Sequence, residues 1–392
     1  MPQECNSCLY DDKHPFGMAF KDRTCLGCLT HKEKQTLDWQ ARKDKLIQIT
    51  HKLKRHSKTY DCVVPVVGDA EDYFTVNEVL DLGLRPLIVC VNDYFKNDIA
   101  WHNLHNLITH FDVDSFVFNP DMNVYKELVK TSLRKYEHVL LPFLQLHTSF
   151  PVHVAYERKI PMIIWGQHQA IEQVGKFSHS DEVEMSKWSR QQHDIFTVDI
   201  DKLMGNGAQV QQRYVNYYRY PNTQALQKRG TTGLYLSNYI PWDPLKQNYN
   251  ALTYGFIPQR QIATFDIYDR AGSSIYYDLH DLLKLKRVGY RKCVDHLVRE
   301  IRHQRIKPTH AQTLADHYMN TPVNIKPFFN WLGVTSSGYE WFIEHKLSGM
   351  KHLLSKEPLS ESVKLTKKIS DLLVNGESPQ RSFILFGKGI DI

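Results

Sequence analysis

The sequence predicts an α/β fold built on a parallel sheet, with a cysteine-rich ribbon ahead of it and a mostly helical region behind. Two observations carry this. Short apolar runs rich in β-branched residues recur between residues 62 and 165, and a helical pattern accompanies each. The runs are continuously apolar rather than alternating, as expected of strands buried on both faces of a parallel sheet covered by helices.

The elements follow in order. From Asp38 to Arg55 the segment DWQARKDKLIQITHKLKR reads as a helix, with Trp39, Leu46, Ile49 and Leu53 on or near one face. Cys62 to Val67 reads as a strand and Asp72 to Leu82 as a helix. Leu87 to Val91 is a second strand, followed by a helix near Ile99 to Ile108. Ser115 to Phe118 is a third, followed by a helix from about Val124 to Tyr136. A helical stretch from Val152 to Arg158 leads to a fourth strand, Pro161 to Trp165. Ligands of such sheets bind beyond the carboxyl ends of the strands. The loops after Val67, Val91, Phe118 and Trp165 therefore share one rim, where the chemistry is expected.

After about residue 205 the rhythm changes. Residues 214–280 are Tyr-rich with Pro and Gly punctuation, and 281–320 are strongly helical. The tail from about 350 is polar, reading as a helix or two closed by the apolar end FILFGKGI. The expected division is a ribbon over 1–37, an α/β domain over 38–205, a C-terminal substrate-binding and helical region over 206–348, and a tail over 349–392.

Of the 392 residues, 42% are hydrophobic and 23% charged, which is ordinary for a globular protein. No apolar run approaches the roughly 20 residues needed to span a bilayer, and the N-terminus opens on cysteines and charges rather than an apolar leader. A cytoplasmic protein with no membrane partner is the expectation. The net charge of +6 is modest; basic residues crowd Lys43 to Lys58 and Lys284 to Arg305, which read as solvated helix faces. Lys43 to Lys58 also lacks the interleaved aromatics of a strand-stacking surface, so nucleic acid is not an expected partner.

Four of the seven cysteines form two knuckles, Cys5-x2-Cys8 and Cys25-x2-Cys28, separated by sixteen residues. Each CxxC presents two thiolates to one tetrahedral ion, which is zinc-ribbon spacing. The alternative is four reduced, unliganded thiols. A site closed by four cysteines leaves no position for substrate, so its role is folding or docking. Cys62, Cys90 and Cys293 lie in apolar or mixed contexts and read as small buried hydrophobes.

Several segments, in order, resemble a known family. They are Asp38-Trp39-Gln40-Ala41-Arg42-Lys43; Tyr60 through Val66; Asn97-Asp98-Ile99 with Asn103-Leu104; Phe118-Asn119-Pro120; Phe150-Pro151-Val152; and Ile160-Pro161 through Trp165-Gly166. Further on come Tyr239 through Asp243, Tyr277 with His280-Asp281 and Lys284, Gly289-Tyr290 with Asp295, and Glu300-Ile301-Arg302. Together with the ribbon, they resemble the N-acetyl sugar amidotransferases of surface-polysaccharide and pseudaminic or legionaminic acid biosynthesis. The resemblance covers roughly residues 1–348. It implies a PP-loop ATP pyrophosphatase (HUP-like) domain and an ATP- and Mg²⁺-dependent conversion of an acetamido group of a sugar nucleotide to an acetamidino group. It also implies ammonia from a separate glutaminase with a cyclase-like subunit.

In that family the loop after the first strand reads Ser-Gly-Gly-Lys-Asp-Ser. Here it reads Val67-Gly68-Asp69-Ala70-Glu71-Asp72. Two hydroxyls, a glycine and the lysine are gone, and acids have accumulated. An added carboxylate about 5 Å from a phosphate costs on the order of 1 kcal/mol even in a high dielectric. The loop does not read as a working pyrophosphatase loop, and a degenerate homologue acting as a sugar-binding or scaffold subunit is the alternative function.

The candidate residues follow from the rim and the resemblance. Val67, Gly68, Asp69 and Tyr73 would hold the cofactor. Glu71, Asp72, His168 and Glu172 are the catalytic candidates, the last two from the rim loop Gly166-Gln167-His168-Gln169-Ala170-Ile171-Glu172. Asn97, Asp98, Trp242, Asp243, His280, Asp281, Lys284 and Arg302 would contact substrate; His280, Asp281 and Lys284 share a helix turn that could hold a carboxylate or phosphate.

Overall fold

The computed structural model describes residues 3–181, 186–195, 197–205, 210–259 and 261–355. FILFGKGI and nearly all of the tail segment, 356–392, lie outside the described residues. The chain forms two compact units, one of residues 1–28 with 258–392, the other of residues 29–257.

In the first unit, strands β1 (Phe20–Lys21) and β2 (Thr24–Cys25) form an antiparallel hairpin. Its two turn residues, Asp22 and Arg23, both have positive φ (49° and 61°), the twist-matched geometry of a two-residue hairpin. Among the described residues this unit also holds the helices Ser274–Val288, Lys292–Arg302, Pro308–Met319, Lys326–Leu332 and Ser336–Lys346. Lys292–Arg302 packs against Pro308–Met319, and Ser274–Val288 against Lys326–Leu332.

The second unit contains the expected parallel sheet. Its strands are β3 (Cys62–Val66), β4 (Pro86–Val91), β5 (Asp114–Phe118), β6 (Met162–Trp165) and β7 (Thr232–Tyr235), in the order β5-β4-β3-β6-β7, every pairing parallel. All residues of β3, β4 and β6 are buried, as their unbroken apolar sequences require. Helix Ala70–Asp81 packs on β3 and β4, and helix Leu141–Arg158 on β3, β4 and β6. Right-handed crossovers, with the strand order reversing between β3 and β6, set these two helices on opposite faces.

Two elements differ from the sequence reading. β7 falls in the Tyr-rich stretch and was not expected; it is four residues long and contains Gly233, which dilutes any strand signal. The helix before β6 starts at Leu141 rather than Val152 and carries Pro151 inside it. Most of its residues are buried, so tertiary packing outweighs the hydrogen bond lost at the proline.

Candidate functional site

In a doubly wound sheet the crevice opens where the strand order reverses, beyond the carboxyl ends of the strands. Here that point lies between β3 and β6. Their pairing covers only Cys62 and Val63, and Pro65, which has no N–H to give, lies beyond the end of that ladder. The loops after β3 and β6 face each other across this opening.

The loop after β3 is closed on itself. Gly68, at φ +98°, turns the backbone so that three successive amides converge. The Asp72 carboxylate accepts from Val67 N at 2.8 Å, Gly68 N at 2.7 Å and Asp69 N at 3.0 Å. Such a concavity of N–H groups at a helix start is an anion nest, and here its occupant is the protein's own side chain. Burial pushes Asp72 up to about 6, against the pull of the three amides. Glu71 is exposed. Tyr73 is fully buried, its hydroxyl 2.7 Å from both the Asn103 carbonyl and the Asn106 side-chain amide.

A cation absent from the sequence reading faces this loop from the connection after β4. Lys96 has a buried side chain 3.3 Å from Asp93. Burial works against its charge, but Asp93, Cys90 and Asp69 outweigh that and hold it above the ordinary lysine range; Lys96 in turn acts on Asp72. Asn97 caps helix Asp98–His110, accepting from Ile99 N and Ala100 N at 3.0 and 3.1 Å, and Asp98 is exposed.

Across the opening, His168 is 3% exposed. Its backbone N–H donates to Ser237 Oγ at 2.9 Å, and its ring lies 4.1 Å from that of Tyr235. Glu172 forms an ion pair with Lys34, and its other oxygen is 3.9 Å from Nε2 of His179, which is 1% exposed. Arg42 donates to the carbonyls of Asn238 (2.6 Å) and His179 (2.8 Å). Burial lowers both imidazoles to about 4, with Lys34 and Arg42 contributing at His179. Neither ring nitrogen of either histidine has a hydrogen-bond partner. The result is two neutral imidazoles beside a buried ion pair, able to give and accept hydrogen bonds to a polar ligand. Lys34 and His179 come from segments that carry no motif of their own, whereas Arg42 lies in the segment Asp38 to Lys43.

Trp242 is 2% exposed and packs edge-on against Phe74 at 5.4 Å. A Cβ on Gly166 would sit 3.1 Å from its ring, so the absence of a side chain at 166 admits the indole. Asp243 is half-buried just before helix Pro244–Thr253, which packs on Ala70–Asp81.

The remaining nominated residues belong to the first unit. Sγ atoms of Cys5, Cys8, Cys25 and Cys28 all lie within 4.8 Å of one another, Cys8 and Cys25 at 3.7 Å. Zn–S bonds of about 2.3 Å in a tetrahedron place sulfurs roughly 3.8 Å apart, so the cluster fits a zinc ion, with all four cysteines as ligands. Arg302 points at them: Nε is 3.4 Å from Cys28 Sγ and Nη2 is 3.6 Å from Cys25 Sγ. Its charge opposes the net negative charge of a four-thiolate zinc centre. Lys284 is ion-paired with Asp295, which also accepts from the Tyr10 hydroxyl at 2.8 Å. Asp281 lies 3.8 Å from Arg270, and the His280 ring lies 6.2 Å from that of Tyr277.

ATP and Mg²⁺ fit less well. The amides that would cradle phosphate are taken by Asp72, and the four cysteines are the one group among the described residues with metal-ligand geometry.

No protein-family model matches the chain. It is similar to an uncharacterized protein, MJ1599, of Methanocaldococcus jannaschii, with 23% identity over 136 residues, which is 34% of this chain and 48% of that protein. The chain thus spans about half the length of the curated relative it matches. Among solved structures it is similar to NMN synthetase from Francisella tularensis, at TM-score 0.30 and 9% identity, covering 57% of this chain and 99% of that one. A superposition that loose says nothing of chemistry.

Proposed function

We propose that the chain is a non-hydrolysing relative of the PP-loop N-acetyl sugar amidotransferases, a sugar-binding or scaffold subunit in which the nucleotide step has been lost. The observation that carries this is the Asp72 carboxylate in the nest of Val67, Gly68 and Asp69 amides. A phosphate entering there would have to displace a hydrogen-bonded side chain and then face Asp69 and Asp72 with Lys96 as the nearby cation. The ligand-binding remainder is the rim of His168, His179 and Glu172, whose neutral imidazoles suit an uncharged polar group such as a sugar hydroxyl or acetamide.

A second reading keeps the family's reaction, with ATP activating the amide oxygen of an N-acetyl sugar nucleotide and ammonia arriving from a glutaminase and its cyclase-like partner. The buried Lys96 favours it, because a lysine from β4's loop stands in for the one missing at Ala70.

Calorimetry of ATP–Mg²⁺ separates the two. The native chain is expected to show no binding, and a loop restored to the family sequence (Val67→Ser, Asp69→Gly, Ala70→Lys, Glu71→Asp, Asp72→Ser) is expected to regain it. Micromolar binding by the native chain would sink the first reading in favour of the second.

A further inference from the structure

The charged side chains of the helical unit are extensively matched. Lys284 is taken by Asp295, Arg299 by Asp266 and Glu300, Arg305 by Glu300, and Arg302 by the thiolates. Arg291 is different. It is fully buried, and its Nη1 donates to the carbonyls of Tyr318 (3.2 Å) and Thr321 (2.7 Å) near the end of helix Pro308–Met319. Its Nε and Nη2 have no hydrogen-bond partner.

Those two nitrogens share one edge of the guanidinium plane, where their N–H bonds run parallel. That edge is the fork that grips the two oxygens of a carboxylate. The bonds from Nη1 fix the plane, so the fork is held in place rather than searching for a partner.

The charges around it leave room for an anion. Asp281 and Asp278 act on Arg291 through space, with neither in ion-pair contact. Asp281 is the partner of Arg270, 3.8 Å away, and its Oδ1 is itself without a hydrogen bond. Asp278 is pushed up to about 7 by burial and by Asp281, so near neutrality it is only partly ionised. Arg291 thus has no carboxylate of its own, since the nearest one, Asp281, is shared with Arg270. Tyr277 and Asp278 are half-buried and reach solvent; Tyr277 lies under the Arg270 guanidinium at 3.8 Å.

We propose that Arg291 anchors a binding site for a small monocarboxylate, gripped through its Nε–Nη2 fork, with Arg270 and Asp281 beside it and Asp278 on the solvent side. A dianionic phosphate fits worse, because its second negative charge would lie beside the Asp281 carboxylate. The sequence pointed to an anion on the turn of His280, Asp281 and Lys284; the geometry moves the anchor to Arg291, since Lys284 is committed to Asp295. The proposal is independent of whether the β3 loop binds a nucleotide.

The test uses the full-length, zinc-loaded chain. Thermal unfolding and calorimetry are run with sodium acetate and sodium formate, against sodium chloride and sodium phosphate at matched ionic strength. A carboxylate-specific rise in Tm is expected for the native chain. Arg291→Lys, which keeps the charge and loses the fork, is expected to weaken binding at least tenfold. Should that variant fail to fold, Asp278→Asn is the second readout, expected to bind acetate several-fold tighter at neutral pH. No carboxylate-specific effect in the native chain or in Asp278→Asn overturns the proposal. So does an undiminished effect in Arg291→Lys, or a crystal structure grown in acetate with only a water on the fork.

Discussion

The Asp72 carboxylate lies 2.7 Å from the backbone nitrogen of Gly68, and two neighbouring amides converge on the same oxygen. This residue stands at the last position of the loop Val67 to Asp72. The loop's own side chain therefore fills the concavity that its three amides form.

The arrangement has a pH signature. Asp72 is raised from 3.8 to about 6 in the fold, so the folded state holds its proton longer than the unfolded chain does. Its contribution to stability is full below about pH 4 and is lost as pH rises through about 6, worth about 3 kcal/mol. Denaturant unfolding of the native chain and of Asp72→Asn at pH 4 and pH 7 should differ by that amount between the two pH values. Equal differences at both would show that Asp72 is not buried as described.

His168 and His179 carry the opposite sign. Burial lowers both from 6.5 to about 4, so the unfolded chain takes up protons first. Their stabilisation is complete above about pH 6.5 and is lost as pH falls through about 4, about 3 kcal/mol each. The imidazole proton resonances of His168 and His179 should still report neutral rings at pH 5. Assignment through His168→Gln and His179→Gln checks which they are.

Gly68 is constrained twice. Its φ of +98° is unfavourable for any side chain, and an added Cβ would meet Leu104 backbone and side-chain atoms at 3.2 to 3.3 Å. Gly68→Ala is expected to cost about 1–3 kcal/mol, read from the shift in denaturant midpoint. A neutral result would mean the loop does not take this turn.

Zinc should be present in the purified chain at one ion per molecule by elemental analysis. Cys8→Ser should abolish its retention. Arg302→Met, which leaves all four ligands in place, should weaken zinc binding roughly tenfold by removing the charge beside Cys25 and Cys28, measured by competition with a chromogenic chelator.

Local patterns were the legible part of this molecule. The cysteine knuckles are defined by spacing, and β3, β4 and β6 by unbroken apolar runs. β7 and the first half of helix Leu141–Arg158 were hidden by Gly233 and Pro151, whose local preference tertiary packing overrides. Lys34, His179 and Arg291 were invisible for another reason. Each acquires its meaning from a partner distant in the chain, as Lys34 does from Glu172, and no single stretch of sequence displays such a pairing. Arg302 illustrates the same point: expected to contact substrate, it faces the Cys25 and Cys28 sulfurs instead.

The first 28 residues share a unit with a segment beginning at residue 258, and this orders events during synthesis. Arg302 is 274 residues downstream of Cys28. At about 5–20 residues per second, a ribosome takes about 14–55 s to cover that distance. Throughout that interval the cysteine knuckles are out of the tunnel without the helix that will shield them, while the whole of the α/β unit is emerging. All four thiols are present long before Arg302, so their capture of zinc or their oxidation can be decided while the rest of the chain is still being made.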